Sequence, residues 1–153
     1  MNRVDLSAEG FPLPSWNKEA VSFIRKVLNK LGRKNWDLSV LFCGDKYIKF
    51  LNKNYRKINE ATDVLSFPLG EKTNDKNGKQ RYLPGDIVIS LEMMKKNAKI
   101  SCISADEELR RLLIHGILHL DGMDHATNKD SEPMLILQEK ILKSLNSEEI
   151  LCA

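Results

Sequence analysis

The sequence is poor in the features that would place it in a membrane or in a disulfide-stapled scaffold. No apolar run in its 153 residues approaches the roughly 20 needed to cross a bilayer, so no transmembrane helix is expected. Met1 to Gly10 carries Arg3, Asp5 and Glu9 and has no apolar stretch, so no secretory leader is expected. Cysteine is scarce. Cys43, Cys102 and Cys152 are odd in number and far apart, which argues against a disulfide framework and against a thiolate metal site. They read as reduced, small apolar residues of a cytoplasmic protein. There is no internal repeat, low-complexity tract or linker, so one domain over residues 1–153 is expected. A net charge of +3 permits a polyanionic partner without requiring one.

What remains is a chain with 42% apolar residues, enough to build a core, and elements that alternate in type. "NRVDLS" alternates and reads as a short edge strand. Ser15 is positioned to cap a helix over 16–31, where Ala20, Val21, Phe23, Ile24, Val27, Leu28 and Leu31 recur at helical spacing before Gly32. "WDLSVLFCG" puts Trp36, Leu38, Val40 and Phe42 on one side, a strand pattern. Asp45 opens a short helix with Tyr47, Ile48, Leu51 and Tyr55 on its apolar face. "DVLSFPL" and "GDIVIS" read as strands, separated by a polar, turn-rich segment from Gly70 to Gln80 that predicts a mobile loop. "LEMMKKNAKI" reads as a helix. Ser104 and Glu107 form a capping box for another, apolar on most sides, that ends at Gly122. A last helix over about 131–145 follows a cap near Asp130 or Ser131, with Pro133 in its first turn. The order predicts an α+β fold, a single mixed sheet packed with helices.

All three histidines fall in "HGILHLDGMDH", His115 to His125. On a helix, His115 and His119 lie within roughly 40° of each other and about 6 Å apart along the axis, so both can reach one ion. Gly122 permits the chain to reverse, and His125 can then bring a third nitrogen to the same point. Three neutral imidazoles suit zinc first, with nickel, copper and cobalt as competitors. No fourth ligand is evident, and three ligands with an open position is the catalytic pattern, in which bound water ionises near neutral pH. Asp121 and Asp124 are candidates to accept the histidines' other N–H groups. Zinc peptidases with this spacing carry a glutamate after the first histidine, whereas this chain has Gly116. One expectation is that Gly116 leaves room beside the metal for an anionic phosphate.

The same eleven residues resemble the signature of the bacterial YbeY family, H-G-x-L-H-L-x-G-[aromatic]-D-H. His115, Gly116, Leu118, His119, Leu120, Gly122, Asp124 and His125 match, and Met123 replaces the usual ring. "LNKNYRKINEATDVLSFP" (51–68) and "GDIVIS" (85–90) are similar to the family as well. The resemblance implies a zincin-like active-site helix carrying HxxxH and a zinc-dependent endoribonuclease that cuts single-stranded RNA. It also implies roles in ribosomal RNA maturation, at the small-subunit 3′ end above all, and in ribosome quality control. It makes His115, His119 and His125 the ligands of one Zn²⁺ per chain and gives His115 and Arg56 catalytic roles. The small ribosomal subunit becomes the expected partner.

The residues themselves leave other readings open. Arg56 suits a phosphate and follows a helix bearing Lys46, Lys49 and Lys53, which makes Lys53 a second candidate for substrate binding. Arg56 would equally suit an ion pair with Glu60 or Asp63. Lys95, Lys96, Lys99, Arg110 and Arg111 read as solvated faces, and no RNA-recognition signature with interleaved aromatics is visible. A metallopeptidase would need Glu60, Asp121 or Asp124 in place of the missing glutamate. A ribosome-assembly factor would need only a structural zinc.

Overall fold

Alternating buried positions build the sheet. In the computed structural model, which describes residues 1–151, strand β2 (Asp37–Cys43) buries Leu38, Val40 and Phe42 on one face, with Trp36 just before it. Strand β1 (Arg3–Ala8) pairs with it in parallel as an edge. Strand β4 (Gln80–Ser90) is parallel to β2 on the other side, and β3 (Val64–Asn74) closes the sheet antiparallel to β4. The order β1-β2-β4-β3 makes this a four-stranded mixed sheet. Among the described residues it carries five helices, an α+β arrangement.

The helices divide between the two faces. Helix α1 (Asn17–Lys30) buries Ala20, Phe23, Ile24, Val27 and Leu28 in the main core, with Leu38, Val40, Phe42, Ile87 and Ile89 from the sheet. Helices α3 (Leu91–Ile100), α4 (Ala105–Leu120) and α5 (Pro133–Ser144) contribute to the same core. Helix α2 (Asp45–Arg56) alone covers the opposite face, where Ile48 and Leu51 meet Cys43, Leu65 and Val88. Burial pushes the Cys43 thiol up to about 12, so it stays protonated and unreactive.

Several expectations need correction. Ser15 does not cap α1. The cap position is Trp16, which offers no side-chain hydrogen bond, and Asn17 instead bonds back to the carbonyl of Pro14. The cap of α5 is Glu132 rather than Asp130 or Ser131, and its carboxylate accepts from the backbone N–H and hydroxyl of Thr127. Tyr55 does not belong to the buried face of α2. It is exposed and sets its ring edge-on against Phe67 at 5.6 Å. Cys102 is likewise exposed, and Cys152 lies outside the described residues.

The largest difference concerns 70–80. Most of this segment is strand. Beyond an irregularity between Pro68 and Glu71, the β3–β4 ladder continues out to Asn74 and Gln80. The turn is only Asp75 to Lys79, where the Asp75 carboxylate accepts from the N–H groups of Asn77 and Lys79. The outer part of β3 is exposed at every position, so it has no buried side to leave an alternating pattern.

Candidate metal centre

Helix α4 is long enough and apolar enough to be held rigidly. The Ser104 hydroxyl accepts from the Glu107 N–H at 3.0 Å, and the Glu107 carboxylate turns to Arg111. Leu109, Leu113, Ile114, Ile117 and Leu118 are fully buried. At the other end, Gly122 takes φ +92° and the N–H of Met123 bonds back to the carbonyl of Leu118 at 3.0 Å. That is a Schellman closure, which turns the chain back on the helix. His125 returns with it. The rings of His115, His119 and His125 have centroids 4.6, 5.2 and 5.4 Å apart, and one nitrogen from each lies within 4.8 Å of the others.

Hydrogen bonds determine which nitrogen faces the cluster. His115 Nδ1 lies 2.7 Å from Gln138 Oε1, His119 Nδ1 3.1 Å from the carbonyl of Met123, and His125 Nδ1 2.8 Å from the carbonyl of Thr127. Each partner is an acceptor, so each Nδ1 carries the proton and each Nε2 presents a lone pair. Gln138 is oriented in turn, because its amide N–H donates to Glu139, which Arg111 holds by two hydrogen bonds. The Nε2 atoms of His115 and His119 are 3.1 Å apart. Two lone pairs at that distance repel unless a cation lies between them. The donor set therefore fits a metal ion.

Burial, first of all, holds the pKa of His115 and of His119 below the ordinary histidine value; neighbouring histidines add to it. The unfolded chain binds these protons more readily than the folded one. Their contribution to stability is therefore fully present above the ordinary value of 6.5 and is lost as pH falls through the lowered folded values. Metal-free protein should show a thermal midpoint that falls with acidification across that window, and less so for His115→Gln, measured by circular dichroism. A midpoint equally steep in both proteins would contradict the assignment.

The cleft beside the histidines has a volume of about 490 Å³ and is lined by Arg56, Ser66, Pro68, His115, His119 and Asp124, among others. Residues 6–146 match the model of the family described as "Endoribonuclease YbeY". The chain belongs to the YbeY family. It is 49% identical over 129 residues to an Endoribonuclease YbeY of Treponema denticola, a match spanning 84% of this chain and 83% of that protein. The Treponema pallidum protein of the same name is 45% identical over 142 residues, 93% of this chain and 89% of the other. The solution structure of TM1509 from Thermotoga maritima matches with a TM-score of 0.64 at 27% identity, covering 95% of this chain and 90% of that one.

Within this YbeY fold the candidate residues separate clearly. Arg56 reaches the cleft, donating to the carbonyl of Ser66 with its guanidinium 5.7 Å from the Phe67 ring centroid. The ion pair with Glu60 or Asp63 is not formed; Asp63 accepts from Asn97 and from the N–H of Val64. Lys53 is exposed on α2 and is not part of the cleft wall. Asp121 does not accept from a histidine, because Arg33 holds its carboxylate at 2.8 and 3.0 Å. Asp124 lies 3.9 Å from His119 Nδ1, and its carboxylate caps the N–H of His125. Gln138, the acceptor for His115, has no signal in the sequence. It lies 23 residues downstream in a helix of unremarkable composition.

Gly116 requires the plainest correction. It does not open space at the metal. A Cβ at this position would lie 2.9–3.1 Å from three carbons of the Ile87 side chain on β4. The glycine is where α4 closes on the sheet, and the cleft lies elsewhere.

Proposed function

We propose that the protein is a zinc-dependent endoribonuclease specific for single-stranded RNA, with one Zn²⁺ per chain on His115, His119 and His125. Its substrate on this reading is ribosomal RNA in the cytoplasm, notably the 3′ end of the small-subunit RNA. The small ribosomal subunit is the partner, and ribosome quality control follows from that association. The relatives named Endoribonuclease YbeY support the activity. No helix is long and apolar enough to cross a membrane among the described residues. The observation that carries the proposal is the convergence of one nitrogen from each of three histidines, two of which line a cleft that Arg56 also lines.

Nitrogens about 2.0–2.1 Å from a tetrahedral zinc are about 3.3 Å from one another, close to the separation of His115 and His119. Bound there, zinc would supply a Lewis acid and lower the pKa of water. The chain's own residues do the rest. Gln138 and the carbonyls of Met123 and Thr127 fix the tautomer and the aim of the imidazoles. Arg56 sets a permanent positive charge where the non-bridging oxygens of a phosphodiester gather charge during cleavage. Phe67 and the Ser66 carbonyl hold that guanidinium in place.

The competing peptidase reading needs a carboxylate in the cleft. Of Glu60, Asp121 and Asp124, only Asp124 lines it. Arg56→Ala tests the proposal on a short single-stranded RNA, with zinc content measured in parallel. Zinc should remain stoichiometric while kcat/KM falls roughly 10²–10³-fold, the usual loss of one preorganised charge donor. Cleavage unchanged in the variant would remove Arg56 from the mechanism. Chelator-sensitive hydrolysis of an unfolded polypeptide would favour the peptidase. Stoichiometric zinc and ribosome binding without any cleavage would leave an assembly factor with a structural ion.

A further inference from the structure

Strands β1 and β2 are parallel neighbours whose chains leave toward opposite faces of the sheet, β1 into α1 and β2 into α2. Such a divergence at the carboxyl ends of strands leaves a crevice, the usual ligand position in open parallel sheets. Here the crevice is about 820 Å³, larger than the histidine cleft. Its wall includes three aromatic rings, Phe11, Tyr47 and Phe50, and balances Lys46 and Lys95 against Glu9 and Glu92, so that the rings rather than the charges distinguish it. Tyr47 and Phe50 are stacked at 6.2 Å with planes 27° apart, and Phe50 is 57% exposed.

The crevice and the metal centre share one element. Helix α2 begins at the crevice and ends with Arg56 in the cleft, about 18 Å away for 12 residues. Lys46, Lys49, Lys53 and Arg56 are spaced by three, four and three residues, which places four cations on one stripe. All four are exposed, and none joins an ion pair among the described residues. Three basic residues of α3 and α4 are by contrast engaged: Lys96 with Asp45, Arg110 with Asp106, Arg111 with Glu107 and Glu139. A continuous cationic line ending in exposed aromatic rings is the surface that single-stranded nucleic acids use, phosphates on the charges and a base on the rings. A duplex would hide its base faces.

We propose that the Phe11–Tyr47–Phe50 crevice binds an unstacked nucleotide of the RNA strand whose scissile phosphate lies in the histidine cleft. Lys49 and Lys53 follow the backbone between the two sites. The proposal rests on the endoribonuclease reading and adds a second contact that sets strand polarity and the minimum length of a good substrate.

Binding of a fluorescein-labelled single-stranded RNA of roughly 16 nucleotides, an upper site size for such grooves, tests it by anisotropy across a salt series. Phe50→Ala should weaken binding about tenfold at an unchanged salt slope, since stacking carries no counterion release. Lys49→Gln with Lys53→Gln should flatten the slope by about 1.4, or 0.7 per phosphate contact. Lys18→Gln with Lys30→Gln on α1 makes the same change in net charge and should leave the slope unaltered. All these positions are exposed, so thermal midpoints should stay at the wild-type value. Wild-type protein that cuts RNA while Phe50→Ala binds it as tightly as wild type overturns the crevice alone. So does inorganic polyphosphate that competes equally with RNA on both proteins, which would make α2 a generic polyanion surface. Wild-type protein that neither binds nor cuts RNA overturns the endoribonuclease reading itself.

Discussion

Gly116→Glu is expected to unfold the protein, with little soluble material and no cooperative thermal transition. The position lies at the contact between α4 and β4, where even a Cβ would come within 2.9 Å of Ile87, itself fully buried. A carboxylate there would be driven against a buried apolar side chain. The penalty for such a buried unpaired charge is several kcal/mol, comparable to the roughly 5–15 kcal/mol by which a typical domain is stable. Gly116→Ala isolates the steric part. Alanine gains about 1 kcal/mol of helix propensity over glycine, against about 1–3 kcal/mol for overpacking. The net expectation is a modest loss, relieved when Ile87→Ala is combined with it. Thermal melts of the two single variants and the double one give the coupling. A soluble, fully folded Gly116→Glu with weakened RNA cleavage would instead restore the idea that this position faces the substrate.

The second large effect is loss of the metal. His119→Ala should lose stoichiometric zinc and, with it, RNA cleavage down to background, because two nitrogens cannot replace the three that converge. Chelation of the wild type should reproduce the loss, and added zinc should restore activity in the wild type alone. Gln138→Leu provides the graded companion. It keeps all three ligands and removes only the acceptor that holds the His115 tautomer, at 2.7 Å. Loss of such a supporting contact costs about 10–100-fold in metal affinity, read by competition with a zinc-binding dye. Metal-free protein with full nuclease activity would remove the ion from the mechanism.

The parts legible in the sequence are those with local causes. Buried alternation marks β2 and the 3.6-residue period marks α1, while α4 is marked by its capping box and its nearly continuous apolar run. The histidine cluster could be read because helix geometry and one reversing glycine bring its members together across only ten residues. The outer part of β3 was hidden because none of its residues is buried. The Nδ1 acceptors were hidden for a different reason. Two are backbone carbonyls, identical in every sequence, and the third is a glutamine on another helix. Asp121 and Asp124 were plausible acceptors by type and proximity, but Arg33, 88 residues away in sequence, claims the first. The cause of Gly116 was equally remote, in a strand 29 residues earlier.

Met123 and Thr127 lie in the α4–α5 connection and Gln138 in α5, so the orientation of the imidazoles depends on the whole stretch from α4 through α5 being docked. An ion held by these imidazoles is bound by the assembled C-terminal part and hardly at all by the unfolded chain. Each tenfold rise in free ion above its dissociation constant then adds about 1.4 kcal/mol to the stability of that assembly. With an ion bound there, metal supply would bear on how long the protein survives proteolysis, quite apart from how fast it works.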